Sequence, residues 1–224
     1  MKVLLFFPNV RGMSVIPMVI GSFTALLKRA GHQVATFDTS GYSIPGFRDE
    51  TVSRQEKLYF GDAKIIPGSR AAKAMEALAQ KAKADIYTDL EAKINGFSPD
   101  LIAITVTDST FLIAVQLMQE MKKRLSGLPR TVWGGVFPTF APELAMKFPE
   151  VDMLCVGEGE KAIVELCQRM ERGQDISNIR GIWSRGKDGS IIQNQPQSIL
   201  TVEELNYLPI PDYSQFEDFR FYRP

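Results

Sequence analysis

The residues best suited to hold a ligand are hydroxyl-bearing side chains in one stretch of the sequence and two adjacent glycines in another. The hydroxyls can satisfy the buried nitrogen or amide groups of a heterocycle. They belong to Thr105, Thr107, Ser109 and Thr110. Gly134 and Gly135 lack side chains, which permits unusual backbone angles and the close approach of a flat group. Two simpler explanations stay open: a tight turn at the glycines, and capping of the following helix by Ser109 or Thr110.

The histidine and cysteine residues are weaker candidates for a metal site or a catalytic site. His32 is the only histidine among the 224 residues, so a histidine-based metal site or catalytic triad is excluded within this chain. It follows Gly31 at the amino end of a predicted strand, where we expect a solvent-exposed turn on the side away from a ligand pocket. Cys155 and Cys167 lie on a predicted strand and on the apolar stripe of a predicted helix. Both are predicted to be buried core thiols rather than ligands or nucleophiles.

The stretch Gly157-Glu158-Gly159-Glu160 opens a predicted helix. Carboxylates are favourable at the positive end of a helix dipole, which by itself explains Glu160 and Glu158. The same two charges would repel a phosphate group. No G-x-G-x-x-G follows the first predicted strand and no G-x-x-x-x-G-K-[ST] occurs, so the sequence disfavours dinucleotide-binding and P-loop functions.

The elements that must position these residues form an α/β pattern. Short apolar runs alternate with segments of helical periodicity, which predicts a flavodoxin-like (Rossmann-like), doubly wound five-stranded parallel sheet. The runs are mostly continuous in hydrophobicity, as in strands buried on both faces. The predicted strands are Lys2–Phe7, Gln33–Phe37, Leu101–Val106, Thr131–Trp133 and Asp152–Val156. Ligands of such sheets bind beyond the carboxyl ends of the strands, near the point where strand order reverses, so the loops at those ends are the candidate site.

Amphipathic segments between the strands predict helices whose apolar stripes face the core. They cover 19–30, about 69–95, 111–125 and 162–170. The stretch 39–68 holds several glycines and prolines and predicts a long loop, which in a compact domain is usually functional or mobile.

The chain divides by composition into a cofactor-binding α/β domain, residues 1–173, and a tail, residues 174–224. In the tail, Gly181-Ile182-Trp183 and Ser190-Ile191-Ile192 flank the turn residues 186–189, which predicts a β-hairpin. Leu208-Pro209-Ile210-Pro211-Asp212-Tyr213 predicts a stiff extended connector toward a further module that lies outside this sequence.

Charge and composition restrict partners and compartment. Lysine plus arginine and aspartate plus glutamate number 26 each, so no basic surplus indicates nucleic acid or an anionic membrane as a partner. The first apolar run is too short for a signal peptide and no stretch has the length of a transmembrane helix. Two cysteines on regular elements do not indicate a disulfide framework. These features predict a cytoplasmic protein.

Several motifs occur in a definite order along the chain. They are Ala30–Val34 with Asp38, Pro99–Thr107, Trp133–Thr139, Val151-Asp152, Gly157–Glu160 and Leu208–Tyr213. This ordered set resembles the cobalamin-binding domain that precedes the catalytic barrel in cobalamin-dependent radical S-adenosylmethionine (radical SAM) proteins. The likeness covers most of the chain and is weakest over 40–68.

The resemblance implies that cobalamin binds with its nucleotide tail beside Thr105, Thr107 and the two glycines, and with its corrin over the strand ends. In the wider family the loop after strand one carries D-x-H-x-x-G, whose histidine coordinates cobalt from below. The radical group commonly lacks this histidine, as does the loop here, which implies base-off cobalamin and no metal ligand from the chain. The candidate cofactor-binding residues are Asn9, Val10, Arg11, Gly12, Thr105, Thr107, Asp108, Ser109, Gly134, Gly135, Phe137, Pro138, Thr139, Gly157 and Glu158.

The radical domain's C-x3-C-x2-C motif is absent from the sequence. The resemblance therefore implies that S-adenosylmethionine and a 4Fe-4S cluster bind in a missing radical SAM domain in cis, and that this fragment has no catalytic residues and is inactive alone. The full enzyme is expected to be a methyltransferase or a cyclase. Two other functions stay open: a degenerate domain of the same family that acts as a scaffold without cofactor, and a flavodoxin-like interaction module.

Overall fold

The computed structural model describes residues 1–10, 18–47, 84–186 and 188–215. Arg11 and Gly12 of the candidate site, most of the predicted 39–68 loop and the first half of the predicted 69–95 helix lie outside these ranges. The strands are β1 (Lys2–Phe7), β2 (Gln33–Asp38), β3 (Leu101–Thr105), β4 (Arg130–Gly134), β5 (Met153–Cys155), β6 (Ile182–Arg185) and β7 (Ile191–Ile192). The helices are α1 (Met18–Arg29), α2 (Ile86–Phe97), α3 (Asp108–Arg124), α4 (Val136–Phe140), α5 (Pro142–Ala145), α6 (Glu160–Glu171) and α7 (Val202–Asn206).

All five predicted parallel strands are present, in the order β2-β1-β3-β4-β5. The register places Val3 of β1 between Val34 of β2 and Leu101 of β3. Strand order therefore reverses at β1, and β1 and β3 are the neighbours between which an open α/β sheet of this kind holds its ligand. The predicted doubly wound α/β fold is confirmed.

The predicted hairpin also forms, but it extends the sheet. β6 pairs antiparallel with β5, with Leu154 opposite Trp183, and β7 pairs with β6. The sheet in the described part of the chain thus has seven strands rather than the five of the parallel core. Pairing with β6 satisfies the backbone groups of β5 that would otherwise form an open edge.

Helices cover both faces of the sheet, because alternate side chains of each strand point to opposite sides. Leu4 and Ile104 pack with α2 and α3 on one face, and Leu5 and Val132 pack with α1 and α6 on the other. The apolar residues of α2, among them Leu90, are buried as their helical spacing predicts. No helix of the described ranges combines the length and the hydropathy that a membrane crossing needs.

The prediction of a solvent-exposed His32 is wrong. The residue does precede β2 at the amino end of the sheet, but it is only 4% exposed. Its backbone N–H donates to the Leu27 carbonyl at 3.0 Å, and its Nδ1 atom lies 3.3 Å from the amine of Met1. Glu171, the last residue of α6, lies 3.8 Å from Nδ1. The turn is buried because α1, α6 and the start of β1 close over it.

Candidate functional site at the carboxyl edge of the sheet

The loops that follow β1, β3, β4 and β5 meet at one edge of the sheet, here called the carboxyl edge, because parallel strands all end on the same side. The loop after β1 is held to the loop after β2. The Asn9 N–H donates to Thr39 Oγ1 at 2.6 Å, and the Thr39 hydroxyl donates back to the Asn9 carbonyl at 2.6 Å. Asn9 Nδ2 donates to Ser40 Oγ at 3.3 Å, and Val10 packs against the core. Asn9 is thus a buried residue that fixes the loop.

The hydroxyl cluster after β3 is largely a helix-capping network. Thr107 is the residue before α3, and its N–H donates to Thr110 Oγ1 at 2.9 Å. Its own hydroxyl lies 2.9 Å from that of Ser109. Asp108 and Ser109 are exposed in the first turn of α3. The capping alternative is therefore confirmed for Thr110, and it extends to Thr107.

Thr105 and Gly134 are brought together. They are register partners at the ends of β3 and β4, and both are half-buried. Gly134 lies on the α1–α6 face of the sheet, because a Cβ there would lie 3.6 Å from the Cβ of Cys155. Strand alternation places Thr105 on the same face as Gly134. The two residues form a small polar and side-chain-free surface at the carboxyl edge.

Gly135 has a different role from Gly134. Its φ is +105°, and a Cβ would lie 2.4 Å from the Val106 carbonyl oxygen and 3.0 Å from the Val106 nitrogen. Val106 N–H also donates to the Gly134 carbonyl at 2.9 Å. The close packing of two backbone segments therefore accounts for glycine at position 135 without a ligand, as the tight-turn alternative predicts.

The short helix α4 packs against the core on one side, and its residue Thr139 links two loops. Pro138 is buried, and Phe137 packs against the core of the α2–α3 face, with its ring centroid 4.5 Å from that of Phe111. Thr139 Oγ1 donates to the Gly135 carbonyl at 2.9 Å and accepts from the Gly157 N–H at 3.2 Å. Thr139 thus joins the loop after β4 to the loop after β5.

The loop after β5 is acidic. Gly157 and Glu158 are exposed, and Glu160 begins α6. Burial, together with the negative charges of Glu160 and Glu158, raises the pKa of Cys155 to about 12. Burial likewise raises the pKa of Cys167 to about 12. The prediction that both cysteines are buried core thiols is confirmed. A raised pKa disfavours the thiolate, which is the form that acts as nucleophile or ligand.

Sequence reasoning missed an apolar surface at this edge. Large apolar side chains are exposed in the helices that begin there, although the rest of each helix buries its apolar residues. They are Met18 of α1, Leu112 of α3, and Val136 and Phe140 of α4. Their position off the buried stripe of each helix was the available sequence signal. Exposed apolar side chains on three helices of this edge are available to a ligand.

Neither the cysteines nor the single histidine are exposed at the carboxyl edge. Both thiols are protonated and buried, and His32 lies at the opposite end of the strands. Among the described residues, no cluster of three or more histidine, cysteine, aspartate or glutamate side chains could hold a metal ion. A separate groove of about 500 Å³ lies between α1, α6 and the segment that contains Leu208.

Comparison with known proteins agrees with this fold. Residues 64–167, which include β3 to β5 with the Thr105–Gly134 pair, match the B12 binding domain family. An uncharacterized methyltransferase of Pyrococcus horikoshii is 30% identical over 128 residues, which are 57% of this chain and 27% of that protein. An anaerobic magnesium-protoporphyrin IX monomethyl ester cyclase of Synechocystis sp. is 29% identical over 116 residues, 50% of this chain and 23% of the cyclase.

Two solved structures share the fold. The cobalamin-dependent S-adenosylmethionine radical enzyme OxsB aligns with a TM-score of 0.62 at 16% identity, over 94% of this chain and 24% of its own. The radical S-adenosylmethionine methyltransferase TsrM of Kitasatospora setae aligns with a TM-score of 0.60 at 18% identity, over 87% of this chain and 30% of its own. The resemblance inferred from the sequence motifs is confirmed, and this chain spans about a quarter of the length of the curated relatives.

Proposed function

We propose that this chain, which carries a B12 binding domain match over residues 64–167, binds cobalamin at the carboxyl edge of its sheet. The observation that carries the proposal is the coincidence of that match with the edge at which Thr105, Gly134 and the exposed apolar residues meet. In an open α/β sheet this edge, beside the reversal of strand order at β1, is where ligands bind.

The residues present suit a corrinoid. The corrin macrocycle is broad and flat, with methyl groups on its faces and amide arms at its rim. Val136 and Phe140 offer apolar area to such a face, and the Thr105 hydroxyl can meet a polar group. Gly134 has no side chain on the α1–α6 side of the sheet, where the nucleotide tail would lie. Gly157 and Glu158 then lie at the rim of the site, with Asp108 and Ser109.

Each side chain acts by binding and orienting. Asn9 and Thr139 hold the loops in place through their hydrogen bonds, so that the cofactor meets a preformed surface. Cobalamin, when bound, supplies a cobalt centre that carries a methyl group. Phe137 and Pro138 support the edge from within the core.

We further propose that the cobalt receives no histidine from this chain. The loop after β1 has none, and the single histidine lies at the amino end of β2. Base-off cobalamin, without its own base on the cobalt, follows from the resemblance to radical SAM proteins.

The larger activity is proposed from the relatives. The chain corresponds to about a quarter of a methyltransferase and of a cyclase, so we propose that it serves as the cobalamin-binding domain of a radical SAM enzyme of one of these types. S-adenosylmethionine and a 4Fe-4S cluster would bind to another domain in cis, since two buried thiols cannot hold a cluster. The two free, buried thiols support a reducing, cytoplasmic location.

Retention of hydroxocobalamin after desalting tests the proposal, with binding measured from the corrinoid absorbance per chain. Phe140→Glu should weaken binding by roughly tenfold or more, because burying one large apolar side chain contributes about 1.5–3 kcal/mol. Tyr207→Glu is the matched control. Phe140 and Tyr207 are 83% and 80% exposed, but Tyr207 lies against Arg29, at the end of α1 opposite the carboxyl edge.

Equal loss in both variants, or none in Phe140→Glu, would show that the corrin does not lie on α4. A wild-type chain that retains no corrinoid would favour the scaffold function instead. Circular dichroism confirms that each variant is folded.

A further inference from the structure

Residues 207–215, here called the strap, lie along the outer side of α1. Arg29 Nη1, at the end of α1, donates to the Tyr207 carbonyl at 2.6 Å. The Asp212 N–H donates to the carbonyl of Gly21, in the first half of α1, at 2.9 Å. Thr36 Oγ1 of β2 donates to the Gln215 carbonyl at 3.1 Å. The strap therefore runs antiparallel to α1, from the amino side of the sheet toward the carboxyl edge.

Gly21 is the position on α1 that receives the strap. Glycine inside a helix is unfavourable relative to alanine, so its presence there calls for a reason. A Cβ at Gly21 would lie 2.5 Å from Cε1 and 2.6 Å from Cζ of the Tyr213 ring. The aromatic ring thus rests directly on the helix backbone, in a space that any larger residue would fill.

Lys28 holds the next part of the strap. Lys28 Nζ donates to Asp212 Oδ2 at 2.6 Å and to Ser214 Oγ at 3.2 Å. Gly21 and Lys28 are seven residues apart and so lie on the same face of the helix. The hydrogen bonds from Lys28 and Ser214 lower the pKa of Asp212 to about 2. The carboxylate is therefore charged throughout the physiological pH range.

We propose that the Gly21–Lys28 face of α1 is a docking surface for the strap, and that this docking fixes where the polypeptide after Gln215 leaves the domain. This inference rests on the proposed function in one respect: the exit point gains its meaning from a cofactor at the carboxyl edge and a further domain that follows. The strap reaches Gly21, in the half of α1 nearer that edge, and its last described residue, Gln215, is bonded to Thr36 of β2, so a docked strap delivers the chain at the β2 side of the sheet. The extended connector predicted from the sequence is therefore held against α1 rather than free in solvent.

Hydrogen exchange of the 224-residue chain without cobalamin tests the docking. Gly21→Ala should displace Tyr213 and make the amides of 212–215 exchange roughly tenfold faster or more, as in local release of a weakly held segment. Gly96→Ala is the matched control, because Gly96 is also helical, in α2, and a Cβ there meets nothing within 4 Å. Unchanged exchange of the strap in Gly21→Ala would overturn the proposal.

A second arm separates a specific fit from a general loss of stability. Tyr213→Ala should release the strap as Gly21→Ala does, and combining the two should add little, because both remove the same contact. Fully additive effects would contradict the Gly21–Tyr213 fit. In both variants the amides of α1 should exchange as slowly as in wild type.

The exit point is measured by spin labels at Ser109→Cys, on the carboxyl edge, and Gln215→Cys, at the end of the strap. The distance distribution should be narrow in wild type and Gly96→Ala, and broad in Gly21→Ala. A broad wild-type distribution would refute a fixed exit. Corrinoid retention is measured separately in the unlabelled chain, so a chain that docks its strap but binds no cobalamin would refute the proposed function alone.

Discussion

The backbone of Gly135 packs directly on the backbone of Val106, so closely that a Cβ at position 135 would lie 2.4 Å from the Val106 carbonyl oxygen. This contact joins the loops after β3 and β4 and sets the direction in which α4 leaves the sheet. The positive φ of +105° adds a second reason for glycine.

Gly135→Ala should therefore destabilise the fold by about 2–4 kcal/mol, through the steric overlap and the strained backbone angle. Gly134→Ala is the control, since its Cβ would make an ordinary 3.6 Å contact with Cys155, and it should cost less than about 1 kcal/mol. Urea denaturation of both variants measures the difference. Similar urea midpoints for the two variants would show that the backbones of residues 135 and 106 move apart at little cost in stability.

Thr139→Val should loosen the link between the loops after β4 and β5. The substitution keeps the shape but removes the hydroxyl that bonds the Gly135 carbonyl and the Gly157 N–H. We expect a loss of about 1–2 kcal/mol in stability and faster exchange of the Gly157 amide. Thr139→Ser retains the hydroxyl and should restore both quantities; a Thr139→Val chain as stable as wild type would show that the two hydrogen bonds contribute little.

His32 should make folding stability depend on pH. Burial, with a smaller contribution from the Met1 amine, lowers the pKa of His32 below its ordinary 6.5, while Glu171 opposes the shift. The unfolded chain then takes up the proton at higher pH than the folded chain. The stability contributed by the neutral ring is fully present above pH 6.5 and is lost as the pH falls toward the lowered pKa.

In His32→Gln the slope of stability against pH in that window should decrease, as measured by urea denaturation between pH 5 and about 7.5. An unchanged slope would mean that another group titrates there. The same variant should leave the spectrum of bound cobalamin unaltered. A nitrogen hyperfine pattern from the Co(II) form that disappears on substitution would instead identify His32 as a cobalt ligand.

Both thiols should be unreactive in the folded chain. Cys155 and Cys167 are buried, and burial raises the pKa of each to about 12, so little thiolate forms at neutral pH. We expect both thiols to react slowly with a disulfide reagent in buffer and rapidly in guanidinium, where two equivalents of reagent are consumed per chain.

Reconstitution of the chain with iron and sulfide should give no stoichiometric cluster and no 5′-deoxyadenosine. Formation of either above a protein-free control would contradict this prediction.

Much of the fold could be predicted because its strands are buried on both faces. Continuous apolar runs such as Lys2–Phe7 mark such strands directly, and that strand begins and ends where predicted. The antiparallel addition of β6 to β5 was not predictable, since a hairpin pattern does not say which edge it joins. The hydroxyl groups after β3 are a second feature whose role could not be predicted from the sequence. Their residue types suit both a ligand and a helix cap, and the fold shows that Thr107 and Thr110 bond each other.

By itself, the sequence determined the chemistry that this chain lacks and the fold class. The numbers of histidines and cysteines, one and two, can be counted directly, and the alternation of apolar runs with helical periods is a pattern of neighbouring residues. Both can therefore be read without knowing which distant residues are in contact. Only the tertiary structure decided why Gly135 and Gly21 are glycines, and that His32 is buried. Those answers depend on Val106, Tyr213 and Glu171, which are distant in sequence and meet their partners only when the sheet and its helices assemble.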